Sequence, residues 1–105
     1  MYSIETVKHH DANISILGRA IAMKQVAWPY PKDSQLTWMQ NNLQPDDVHV
    51  FLQEGGQDVA YLNIAWVTAI INGGGTKCAG IGNVCTRQLG GYSKLLITNI
   101  VHYFL

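Results

Sequence analysis

The chain has 105 residues, 48% of them hydrophobic and 13% charged, and its seven Lys and Arg balance seven Asp and Glu. That length gives one domain, residues 1–105, able to bury a core, and the apolar fraction excludes intrinsic disorder. The zero net charge lacks the basic footprint of a nucleic-acid binder and favours association between copies.

Residues 4–8 form a short β-prone run. Asp11 or Asn13 caps a helix carrying Ile14, Leu17 and Ile21 on one stripe, which Pro29 and Pro31 end near Trp28. Asp33 or Ser34 starts a second helix with Leu36, Met39 and Leu43 on one face, closed by Asn41, Asn42 and residues 44–47. The period then changes. Val48, Val50 and Leu52 alternate with His49, Phe51 and Gln53, as in a strand. Gly55-Gly56 marks a turn, and residues 59–72 make a long strand rich in β-branched and aromatic side chains. Asn72-Gly73-Gly74-Gly75 signals a hairpin, since Asn and Gly tolerate positive φ. Residues 76–86 return as the next strand, where Gly80 and Gly82 mark a bulge or a close backbone approach. From Gly90 a helical period resumes, with Lys94, Thr98 and His102 as a polar stripe on an otherwise apolar helix. The order β-α-α-β-β-β-α predicts an α+β fold, a mostly antiparallel sheet with helices on both faces.

Cys78 and Cys85 are seven residues apart, which on one strand turns them to opposite faces, so they read as reduced thiols. The first residues lack the basic start and apolar run of a signal peptide. Residues 59–71, the longest apolar stretch, are interrupted by Asn63 and Thr68 and are too short to span a bilayer as a helix. The expectation is a cytoplasmic protein without membrane or nucleic-acid partners.

Residues 79–96 carry the most chemical information. They read as a strand, a glycine-containing turn and the start of a helix, with Arg87 and Lys94 flanking the turn. Backbone N–H groups at such a junction converge, and the helix dipole adds positive potential. The turn is then either purely structural or an anion site. Charge distribution bears on that choice. The first 58 residues hold four cations against seven acids, a formal −3, and residues 59–105 hold three cations and no acid, a formal +3. An anion at the turn meets no carboxylate from its own half.

The element order and this segment resemble the N-terminal half of a GCN5-related N-acetyltransferase, the GNAT superfamily. Gln88-Leu89-Gly90-Gly91-Tyr92-Ser93 matches that family's Q/R-x-x-G-x-G/A loop, with Ser93 in the final small position. The resemblance implies that the loop amides hold the pyrophosphate of acetyl-CoA, the acyl donor. It places the cofactor against Val84, Cys85, Gln88, Gly90, Gly91, Tyr92 and Ser93, and the acceptor beside Trp28 and Tyr30 in the segment joining the first two helices. The implied reaction is N-acetyl transfer to a small amine or a peptide amino group. The chain stops where the family continues with further strands, so the alternative is a non-catalytic truncated module that dimerises and at most binds CoA. An open edge at residues 76–86 and an uncovered last helix imply a homodimer.

No residue stands out as the catalytic acid or base. Cys85 is a nucleophile in principle, but direct transfer and the lack of a neighbour that lowers its pKa favour a core role. Glu54 and Asp58 read as solvated turn residues, and His102 as a surface or interface side chain. His9 and His10 point opposite ways on a strand, so no metal site is expected. Trp38 and Trp66 read as core aromatics.

Overall fold

The computed structural model describes residues 2–87 and 95–98. Strand β1 (Tyr2–Lys8) leads through a short 3₁₀ turn into helix α1 (Ile14–Ala27). The Asn13 side chain caps α1 by accepting a hydrogen bond from the Ile16 N–H at 2.9 Å. Helix α2 (Lys32–Asn42) starts at Lys32, a residue earlier than expected, because Pro31 supplies the N-cap without a side-chain hydrogen bond. Strands β2 (Val48–Glu54), β3 (Gln57–Ile71) and β4 (Gly74–Thr86) follow.

Both strand reversals rest on residues that accept positive φ. Gly55 and Gly56 turn β2 into β3 at φ 59° and 78°, and Asn72 and Gly73 turn β3 into β4 at 51° and 79°. Positive φ at both central residues matches the twist of the flanking strands. The sheet runs β1-β2-β3-β4, antiparallel throughout the described residues.

The sheet is covered on both faces. On one, Leu17, Ala20, Ile21 and Met23 of α1 and Met39 of α2 pack with Phe51, Tyr61 and Cys85. On the other, Val50, Leu52, Leu62 and Ile64 meet the helical turn at 95–98 through Leu96, which is fully buried. Two-sided burial explains why Val48 to Leu52 is buried at every position rather than alternating.

Two expectations are corrected here. Asp58 is not a solvated turn residue. The Arg19 guanidinium donates to both of its carboxylate oxygens, Nε to Oδ2 at 2.9 Å and Nη2 to Oδ1 at 2.8 Å, and to Glu5 Oε1 at 2.8 Å. Trp38 is not a core residue: it is 45% exposed, while Gln35 and Met39 beside it face inward. Trp66 is half-buried against the second cluster.

Arg19 thus ties α1 to β1 and β3, and its Cζ lies 4.3 Å from the centroid of the Phe51 ring. Its hydrogen bonds hold the Asp58 carboxyl below the usual carboxylate range. That contribution to stability is present above the ordinary pKa and is lost as pH falls through the lowered one. Arg19→Ala is expected to cost about 2 kcal/mol, below the range for a fully buried pair because both partners touch solvent. Arg19→Lys recovers less than half, lacking the two-pronged geometry. Urea denaturation of the two variants checks both values.

Candidate active site

The joint between α1 and α2 is held in place by its own carbonyl groups. Tyr30 O accepts hydrogen bonds from Gln25 Nε2 at 3.2 Å and from Gln35 Nε2 at 3.0 Å, and Tyr30 N–H donates to Trp28 O at 2.8 Å. These bonds fix the segment Trp28-Pro29-Tyr30-Pro31 beside the helices. A cleft of about 490 Å³ opens there. Trp28, Tyr30 and Pro31 form one wall, and Gln35 and Trp38 of α2 another. Ser34 of α2, Lys24 of α1 and Asn83 of β4 complete it.

Asn83 marks a break in the β3–β4 ladder. Tyr61 faces Cys85 and Asn63 faces Gly82, so Asn83 and Val84 together oppose Leu62 alone. This is a β-bulge, with Asn83 at φ 53° and its Nδ2 donating to Asn63 Oδ1 at 3.3 Å. A bulge takes backbone groups out of the ladder and re-aims them. Here it does so where β4 meets the cleft.

A polar chain runs from the helix-covered core to the half-buried His9. Tyr61 OH is 2.7 Å from His49 Nδ1, and His49 Nε2 is 3.0 Å from His9 Nδ1. His49 thus joins Tyr61 and His9 through its two ring nitrogens, one a donor and the other an acceptor in the neutral ring. Burial, with smaller repulsions from His9 and Lys24, pushes the His49 pKa down to about 4. Burial likewise raises the Tyr61 phenol and pushes the Cys85 thiol up to about 11, against a weaker opposing pull from Lys24. Cys85 is therefore a protonated core thiol at neutral pH, without nucleophilic character.

No protein-family model and no curated protein matches the chain. Solved structures do. Escherichia coli ElaA aligns over 98% of this chain and 69% of its own length, at TM-score 0.67 and 14% identity. An acyl-CoA N-acyltransferase from Pseudomonas aeruginosa aligns over 97% and 69%, at TM-score 0.63 and 18% identity. The fold is GNAT-like, shared with these two structures.

Within this GNAT-like fold the residues singled out from sequence separate into three groups. Val84 sits in the bulge, half-buried, and Cys85 follows it in the core. Trp28 and Tyr30 line the cleft next to Asn83, so the segment between the helices and the bulged strand meet in one place. Gln88, Gly90, Gly91, Tyr92 and Ser93 lie outside the described residues, as does His102. Among the described residues no group of three His, Cys, Asp or Glu side chains is placed to hold a metal ion. No helix among them is long and apolar enough to cross a membrane.

Lys24, Gln35, Asn83 and His49 were not singled out from sequence. For Lys24 a signal existed: Leu17, Ile21 and Lys24 fall on one stripe at spacings of four and three, so the lysine stands where an apolar residue is expected. Asn83, next to Gly82 in a strand, marks left-handed backbone as an Asn-Gly pair does in a turn.

Proposed function

We propose that the chain transfers an acyl group, with acetyl-CoA as donor, to the nitrogen of a small amine or a peptide amino group. The observation that carries this reading is the meeting of the β4 bulge with the aromatic cleft. The described part of the donor site suits a thioester: the bulge interrupts the β3–β4 ladder at Asn83 and Val84, and no side-chain carboxylate follows Asp58 to oppose the phosphates. Val84 and Cys85 border the acyl end, and Gln88, Gly90, Gly91, Tyr92 and Ser93 hold the pyrophosphate.

In this reaction the amine nitrogen bonds to the thioester carbonyl carbon. The bulge amides stabilise the negative charge that develops on the carbonyl oxygen. The C–S bond then breaks, and the leaving thiolate takes up a proton as the new amide nitrogen gives one up. Transfer is direct in the family the sequence resembles, and the buried Cys85 thiol suits that route. The free cysteines Cys78 and Cys85 agree with a cytoplasmic setting.

Acetyl-CoA incubated with a panel of small amines is expected to release free CoA thiol above the uncatalysed rate. Acetyl-CoA binding without release on any amine overturns the enzymatic reading and leaves a CoA-binding module.

We also propose a homodimer. The far end of the β3–β4 hairpin carries Val67, Ile70 and Ile71 at 51%, 80% and 52% exposure, with Ile81 at 43% nearby. β4 is the last strand of the described sheet. An apolar surface next to a sheet edge is a pairing liability that a second copy removes. Light scattering at micromolar concentration is expected to give the mass of two chains, and a monomer contradicts it.

A further inference from the structure

The charge on the cleft wall is unbalanced. Lys24 is 7% exposed and lines the cleft. All seven side-chain carboxylates belong to described residues, and none of them pairs with its ammonium. Its partner is the Trp38 ring, with Nζ 5.1 Å from the centroid. A ring face attracts a cation but carries no net charge, and buried charges are normally paired. Gln35 adds a second unmet valence. It is 6% exposed, its Nε2 is engaged by Tyr30 O, and its Oε1 has no hydrogen-bond partner among the described residues. Trp28, Tyr30 and Trp38 surround both with flat apolar surface.

The wall therefore offers one cation, the buried and unpartnered Gln35 Oε1, the Ser34 hydroxyl, the Asn83 side chain and aromatic faces, and no carboxylate. A polyamine or basic peptide brings more positive charge to Lys24 and nothing for it to pair with. We propose that this cleft binds an amino-carboxylate with a flat apolar body, of the aromatic amino acid type. Its carboxylate pairs with Lys24, its amine N–H donates to Gln35 Oε1, and its ring lies against Trp28 and Trp38. The proposal names the acceptor class of the acyl-transfer reading and rests on it. An N–H held by an acceptor oxygen leaves the amine lone pair, once deprotonated, free to attack the thioester beside the bulge. That step makes an N–C bond and breaks the C–S bond, with the amine proton passing to the thiolate through solvent.

The test titrates the full chain with phenylalanine and with phenethylamine, which lacks only the carboxylate, following tryptophan fluorescence. Phenylalanine is expected to bind at least about 10-fold more tightly, the worth of one modest ion pair. Lys24→Met is expected to abolish that preference while the thermal midpoint and acetyl-CoA binding persist. Gln35→Glu, which places an anion in the same wall, is expected to reverse it, and it serves if Lys24→Met does not fold. Equal affinity for the two probes, tighter binding of phenethylamine, or an unchanged preference in both variants overturns the proposal. Acetyl-CoA titrated separately keeps the two readings apart. Phenylalanine preference without acetyl-CoA binding upholds the carboxylate cleft and overturns acyl transfer; acetyl-CoA binding without the preference does the reverse.

Discussion

Replacing Phe51 by alanine is expected to lower stability by about 4 kcal/mol, a large share of the roughly 5–15 kcal/mol of a typical domain. Phe51 is fully buried at the centre of the helix-covered face. Its ring meets Tyr61 edge-on, with centroids 5.2 Å apart and an interplanar angle of 80°, and Arg19 stacks on it at 4.3 Å. Truncation removes the transfer energy of the ring, the aromatic pair and the cation–π contact, and leaves a cavity that α1 cannot close without breaking the Arg19 bridges. Phe51→Leu keeps most of the volume and is expected to cost about 1.5 kcal/mol. Urea denaturation followed by circular dichroism measures both. A cost below about 1 kcal/mol for the alanine variant contradicts this packing scheme.

Acidification is expected to remove about 3 kcal/mol of stability through His49 alone. The folded chain holds His49 neutral down to about pH 4, whereas the unfolded chain protonates it near its ordinary 6.5. Between those values the unfolded state binds more protons, so stability falls as pH falls, and the loss is complete below pH 4. His49→Gln keeps a donor and an acceptor for His9 and Tyr61 but does not titrate. Its unfolding free energy is expected to be nearly flat from pH 6.5 to 4.5, where the native chain declines. The loss at lower pH, from Asp58, remains in both. Equal slopes for the two chains contradict the assignment.

Local chemistry made the architecture legible. Asn72-Gly73 and Gly55-Gly56 name their turns because few other residues take positive φ. Asn13 and the stripe Ile14, Leu17, Ile21 mark α1, although Ile14 itself is exposed, and Gly80 and Gly82 stand just before the bulge at Asn83 and Val84. What stayed hidden depends on partners distant in sequence. His49 and Phe51 alternate with Val48, Val50 and Leu52, a pattern that reads as one wet and one dry face until α1 and α2 cover the wet one. Asp58 looks like a turn carboxylate until Arg19, thirty-nine residues earlier, reaches it. Trp38 misled because aromatic size argues for burial, whereas the inward face of α2 runs through Gln35 and Met39.

The cleft was half legible. Trp28 and Tyr30 stand between two prolines and two helices, where a substrate-contact segment belongs in the family the sequence resembles. Lys24 and Gln35 escaped notice because polar residues on a helix are normally solvated. Their burial gives the wall its polarity. The zero net charge takes on a different meaning in this light: an acidic first part carries the cleft-forming helices, and a basic remainder carries the bulged strand and the glycine-containing sequence after it.

Under the proposed function, β4 and the glycine-containing segment that follows it in sequence receive an acyl-CoA. Calorimetric titration of the 105-residue chain with acetyl-CoA tests it most directly. The predicted result is saturable binding with one cofactor per chain, abolished by Gly91→Val, whose branched side chain crowds the approach of phosphate to the backbone. No binding at millimolar acetyl-CoA, or binding that Gly91→Val leaves intact, contradicts it.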